Sequence, residues 1–124
     1  MSELTEGRYA GEFLLSELPG TLSRDTVTVT VPATTTLSPG TVLGQISASG
    51  KYAPYDDSKS DGLETAAGIL YGELKNEDDG AADFDAVIID FGAEVRKDDL
   101  VWGDGVDDEG GLADLAAIAI KARD

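Results

Sequence analysis

Apolar and polar residues alternate most strictly along Thr26-Val27-Thr28-Val29-Thr30-Val31, where every residue is β-branched. Period-two alternation predicts a strand with Val27, Val29 and Val31 on one face. Pro32 ends that strand or marks a sheet edge. An alternating edge strand suits addition onto a partner's sheet. Residues 34–40 read as a loop with a Pro39-Gly40 turn. Residues 41–46 and 51–55 read as two strands of a hairpin, turned at Ala48-Ser49-Gly50. Beyond an acidic loop at 56–62, a strand is expected over 65–73, where Ala66, Ala67 and Gly68 permit another backbone to come close. Residues 75–80 read as a loop. The Val87-Ile88-Ile89 run predicts a buried strand over 85–91, continued at Glu94-Val95 after a bend at Gly92. Residues 97–102 read as a single helical turn or a loop. The helical spacing of Leu112, Leu115 and Ala116 predicts a short helix over 111–117, followed by a last strand over 118–123.

Many short strands with frequent turn signals describe a mainly β domain with one or two short helices, spanning residues 26–124. Residues 1–25 show no sustained period. They are polar except at Phe13-Leu14-Leu15, and Leu18-Pro19-Gly20 follows as a breaker. Three adjacent large apolar residues favour a flexible arm that orders on a partner over a merely frayed terminus. Phe13, Leu14 and Leu15, with Val27 and Val29 of the strand that follows, are the candidate partner contacts.

The charge narrows the choice of partner. Asp and Glu number 25 against 9 Lys and Arg, for a net charge of −16. Such a surface repels nucleic-acid phosphates and anionic membranes, which leaves proteins as the expected partners. It also keeps the chain dispersed in solution, and a salt-rich environment favours the same composition. At 124 residues, 41% of them hydrophobic, the chain can build one real core. No apolar run approaches the ~20 residues of a membrane helix, and the first residues do not read as a signal peptide.

Candidate chemistry is sparse. With no His and no Cys, thiolate nucleophiles, most structural zinc sites and serine–histidine pairs are all absent. Paired carboxylates are so frequent that any one pair carries little information. The calcium-loop pattern fails: taking Gly80 as its sixth position puts Lys75 first and Ala86 twelfth, and taking Gly62 puts Lys59 third. Asp104, Asp107, Asp108 and Glu109 form a loose acidic group that reads as a solvated loop. Phosphate-cradling glycine motifs are also missing. No catalytic residue, metal or cofactor is therefore expected. Leu100-Val101-Trp102, ending on the only tryptophan, reads as core or subunit contact. The alternative is a carbohydrate-binding β module that stacks sugars on Trp102 and on Tyr52, Tyr55 and Tyr71.

Taken in order, several segments resemble the head decoration protein family of tailed bacteriophages. They are Gly11-Glu12-Phe13-Leu14-Leu15-Ser16, Ser23-Arg24-Asp25-Thr26-Val27-Thr28-Val29, Pro39-Gly40-Thr41-Val42-Leu43-Gly44, Gly50-Lys51-Tyr52, Pro54-Tyr55, Ala66-Ala67-Gly68-Ile69-Leu70 and Asp99-Leu100-Val101-Trp102. The resemblance implies a β-clip or β-tulip domain that forms homotrimers. Those trimers would sit on the outer capsid surface at three-fold and quasi-three-fold sites, on the major capsid protein. They would add after the shell expands and brace it against packaged DNA. It further implies synthesis in the host cytoplasm, assembly into the virion, and an N-terminal arm that pairs with capsid strands. One departure is Gly103, where the phage lambda member has Pro after its Trp; this leaves the subunit contact around Trp102 in question.

Overall fold

The computed structural model describes residues 13–17, 19, 23–103 and 105–123. Its strands are β1 (Leu14–Glu17), β2 (Arg24–Val31), β3 (Thr35–Leu37), β4 (Val42–Gln45), β5 (Tyr52–Pro54), β6 (Ala66–Leu70), β7 (Leu74–Asn76), β8 (Ala82–Ile89), β9 (Ala93–Arg96) and β10 (Ile120–Arg123). A 3₁₀ turn spans Lys97–Asp99, and the α-helix α1 spans Asp108–Ala117. The protein is mainly β, as expected.

Five strands close into a barrel in the order β2-β5-β4-β6-β8. The alternation of β2 works as the sequence implies: Val29 and Val31 are fully buried and Val27 is half-buried. Inside the barrel they meet Leu37, Leu43, Leu70 and Ile88. The β4–β5 hairpin forms with Leu43 opposite Pro54. β6 and β8 are neighbours, with Ile69 opposite Ile89 and Leu70 opposite Ile88. Gly68 permits this closeness, since a Cβ there would stand 3.0 Å from Ile88 Cδ1 and 3.2 Å from the Ile89 carbonyl oxygen. Here a side chain would push the two strands apart.

A second apolar cluster joins α1 and the sheet β1-β9-β10 to the barrel. Phe13, Val95, Leu100, Leu115 and Ile120 meet Ile69 and Ile89 there. α1 begins three residues before the predicted start because Asp107 caps it: its carboxylate accepts the Gly110 N–H at 3.1 Å. After the helix Ala119 turns through φ 62, so the last strand begins at Ile120.

Three expectations change. β2 is not a free edge, because β8 pairs with it from Arg24 to Val31 and β5 meets it at Val29. Residues 34–40 and 75–80 are not wholly loop: they contain β3 and the end of β7, paired antiparallel with Thr35 opposite Asn76. These three-residue strands show no apolar alternation, and a polar clamp holds them. Buried Asn76 donates Nδ2 hydrogens to the Val31, Pro32 and Gly80 carbonyls at 3.0–3.1 Å and accepts the Asp78 N–H at 2.9 Å. Lastly, the segment expected as an arm contains β1, and residues 1–12 of that segment lie outside the described residues.

Candidate functional site

β1 lies antiparallel against β9, with Leu14 opposite Val95 and Ser16 opposite Glu94 across a bulge. The Arg96 N–H donates to the Phe13 carbonyl at 2.7 Å. Phe13 itself is 1% exposed, and Leu14 packs on the same cluster, half-buried. Leu15 points out at 40% exposure. Among the described residues β1 pairs on one side only, so its other side is a sheet edge.

The far end of β1 is tied to the start of β2. Arg24 donates from Nε to Glu17 Oε1 at 3.0 Å and from a terminal nitrogen to the same oxygen at 2.5 Å. The Ser23 hydroxyl donates to Glu17 Oε2. Hydrogen bonding to Arg24 holds the Glu17 carboxyl below its usual range, and the same contact raises Arg24. The Arg24 guanidinium also lies 4.3 Å above the Tyr71 ring.

The candidate contacts therefore separate. Phe13 and Val29 are buried in this conformation. Leu14 and Val27 are half-buried, and Leu15 is available. Phe91, 46% exposed just beyond β8, is a surface apolar residue that the pattern did not single out. It lines a shallow groove with Ser16 and Glu17 of β1 and Ala93 and Glu94 of β9. In the sequence it adjoins the buried Ile88-Ile89 run, which hid its outward orientation.

Leu100 is buried, whereas Val101 and Trp102 are half-buried. The Val101 N–H donates to the Gly40 carbonyl at 2.9 Å, and its carbonyl accepts the Val42 N–H at 3.1 Å. Trp102 meets Tyr55 edge-on at 5.8 Å between centroids. It also packs against Gly111 of α1, where a Cβ would stand 2.4 Å from the indole. The Tyr55 hydroxyl donates to the Asp107 carbonyl at 2.9 Å. Burial raises the Tyr55 hydroxyl's pKa, with Asp57 and Asp107 adding to the effect. The indole is thus built into a junction between barrel and helix.

Several acids have local structural work. Asp57 accepts the Asp107 N–H, and Asp114 accepts the Ala66 N–H, both at 2.9 Å. Among the described residues no group of three acids is arranged to hold a metal ion, and no helix is long and apolar enough to cross a membrane.

The described residues thus form a small closed barrel with a sheet edge on its N-terminal side, and several acids serve as backbone caps. The family model of the bacteriophage lambda head decoration protein D matches residues 3–122. The chain belongs to that family, which is a structural component of the phage capsid. No curated protein matches the chain.

Proposed function

We propose that this protein binds as a homotrimer to the major capsid protein, at three-fold and quasi-three-fold sites on the outside of an expanded phage head, and braces the shell against packaged DNA. The family match over residues 3–122 carries this reading. The β-clip or β-tulip description of the domain belongs to the same proposal. The chain is made in the host cytoplasm and ends on the virion surface.

The N-terminal segment supplies the capsid contact. Residues 1–12 lead directly into β1, whose outer side is an edge that can add a capsid strand. Leu15 supplies exposed apolar area on β1, and Phe91 supplies more beside its end. Negative charge on the outer shell does not compete for the DNA inside.

Removing residues 1–12 tests the contact cleanly, because a cut beyond Phe13 would also take away core. The truncated chain is expected to keep its circular dichroism spectrum and oligomeric state while losing capsid binding. Undiminished binding would exclude the arm. A strict monomer by light scattering that also ignores expanded heads would exclude the trimeric decoration role.

A further inference from the structure

Among the described residues β10 joins its sheet through β9 alone, in parallel, with Ile120 opposite Ala93 and Arg123 opposite Arg96. The Ala93 N–H donates to the Ala119 carbonyl at 3.1 Å. Backbone polar groups alternate in direction along a strand. Lys121 therefore turns its N–H and C=O towards β9, whereas Ile120 and Ala122 turn theirs to the open side. Among the described residues no strand lies beyond that side.

A groove of about 680 Å³ runs along this edge. Its apolar wall comes from Leu112 and Ala116 of α1 and from Ile120. Lys97, Lys121 and Arg123 also line it, and among the described residues no acid does. Three of only nine basic residues thus gather at one groove, on a chain with 25 acids. Arg123 also reaches Glu94 on the neighbouring strand at 3.0 Å, so the groove is cationic without being stripped of counter-charge.

We infer that the β10 edge and its groove receive an extended segment of a partner protein in which carboxylates alternate with small apolar residues. A strand laid beside β10 would take hydrogen bonds from the outward backbone of Ile120 and Ala122. Its pleat would send one set of side chains towards Lys121 and Arg123 and the other onto Leu112 and Ala116. The same cations would attract a nucleic-acid strand, but no aromatic residue lines the groove to stack a base, and the free backbone donors suit a peptide. This edge is distinct from the proposed capsid contact, which uses β1 at the opposite side of the sheet.

The test uses the full-length protein and a blocked nine-residue peptide of alternating Glu and Val, with a Lys–Val peptide and oligothymidylate as competitors. The Glu–Val peptide is expected to bind and to slow amide hydrogen exchange at Ile120 and Ala122 at least fivefold. K121E combined with R123E, both exposed side chains of β10, should weaken binding at least tenfold while the near-ultraviolet circular dichroism is kept. Equal binding by the double variant, preference for the Lys–Val peptide or oligothymidylate, or unchanged exchange at both amides would overturn the inference. So would an oligomer of the peptide-free protein that the double variant dissociates, since the occupant would then be a second copy of the chain.

Discussion

Asp90 gives the sharpest physical prediction. It follows β8, and its N–H donates to the Ser23 carbonyl at 3.0 Å, where the start of β2 meets the end of β8. Burial and a hydrogen bond to Asp25 raise its carboxyl to about 7. The unfolded value is near 3.8. The folded state therefore holds a proton that the unfolded chain has lost, and this contribution to stability is complete below pH 4 and disappears as pH rises through 7. The chain has no His and no Cys, so few other side chains titrate between pH 6 and 8. Full-strength linkage corresponds to a loss of about 1.4 kcal/mol over that interval. Asp90 is only half-buried, and solvent screening reduces this to about 0.7 kcal/mol. Urea denaturation should then show the wild-type midpoint falling by about 0.4 M from pH 6 to 8, taking a slope of roughly 2 kcal/mol per molar. Asp90→Asn keeps a hydrogen-bonding group that cannot ionise, so its midpoint should stay level and exceed that of wild type at pH 8. Parallel midpoint curves for the two proteins, or a wild-type midpoint that rises with pH, would refute the reasoning.

Asn76→Ala should cost about 2–4 kcal/mol in chemical denaturation, because three carbonyls around the β3–β7 pair lose their buried donor; a loss under 0.5 kcal/mol would remove the clamp. Gly111→Ala sets up to ~1 kcal/mol of helix propensity against about 1–3 kcal/mol of overpacking, since the new Cβ meets the Trp102 ring at 2.4 Å. Net destabilisation with red-shifted tryptophan emission is expected, and a more stable variant with unchanged emission would contradict that contact. Gly62→Ala should lose about 2–4 kcal/mol, because Gly62 sits at φ 115 and its Cβ would stand 2.1 Å from the Gln45 carbonyl oxygen, a backbone atom with little freedom to move. A thermal midpoint equal to wild type would contradict this tight approach of the Gly62 turn to β4.

What the sequence made legible was whatever local periodicity controls. The β-branched alternation at 26–31 located β2 and its buried face, and the apolar runs at 65–73 and 85–91 located the neighbouring β6 and β8. Helical spacing found α1, though its start depended on the Asp107 cap. Strands β1, β3 and β7 were hidden for a different reason. Each is only three or four residues long and exists because a distant partner pairs with it, as Thr35 does with Asn76. Nothing local to Leu74-Lys75-Asn76 announces a strand. The candidate contacts divided along similar lines. Phe13-Leu14-Leu15 stood out as an apolar knot, but composition alone does not tell a core residue from a docking residue. Phe13 is taken into the interior while Leu15 is left outside. The direction of Phe91 depends on how the chain bends at Gly92 (φ 63), which no apolar period records.

Co-sedimentation with purified phage heads is the most direct test of capsid decoration. The protein should pellet saturably with expanded heads of its own phage, with bound copies in multiples of three per site, and should stay in solution beside unexpanded heads. Equal binding to both kinds of head, or binding to neither, would contradict the proposed role.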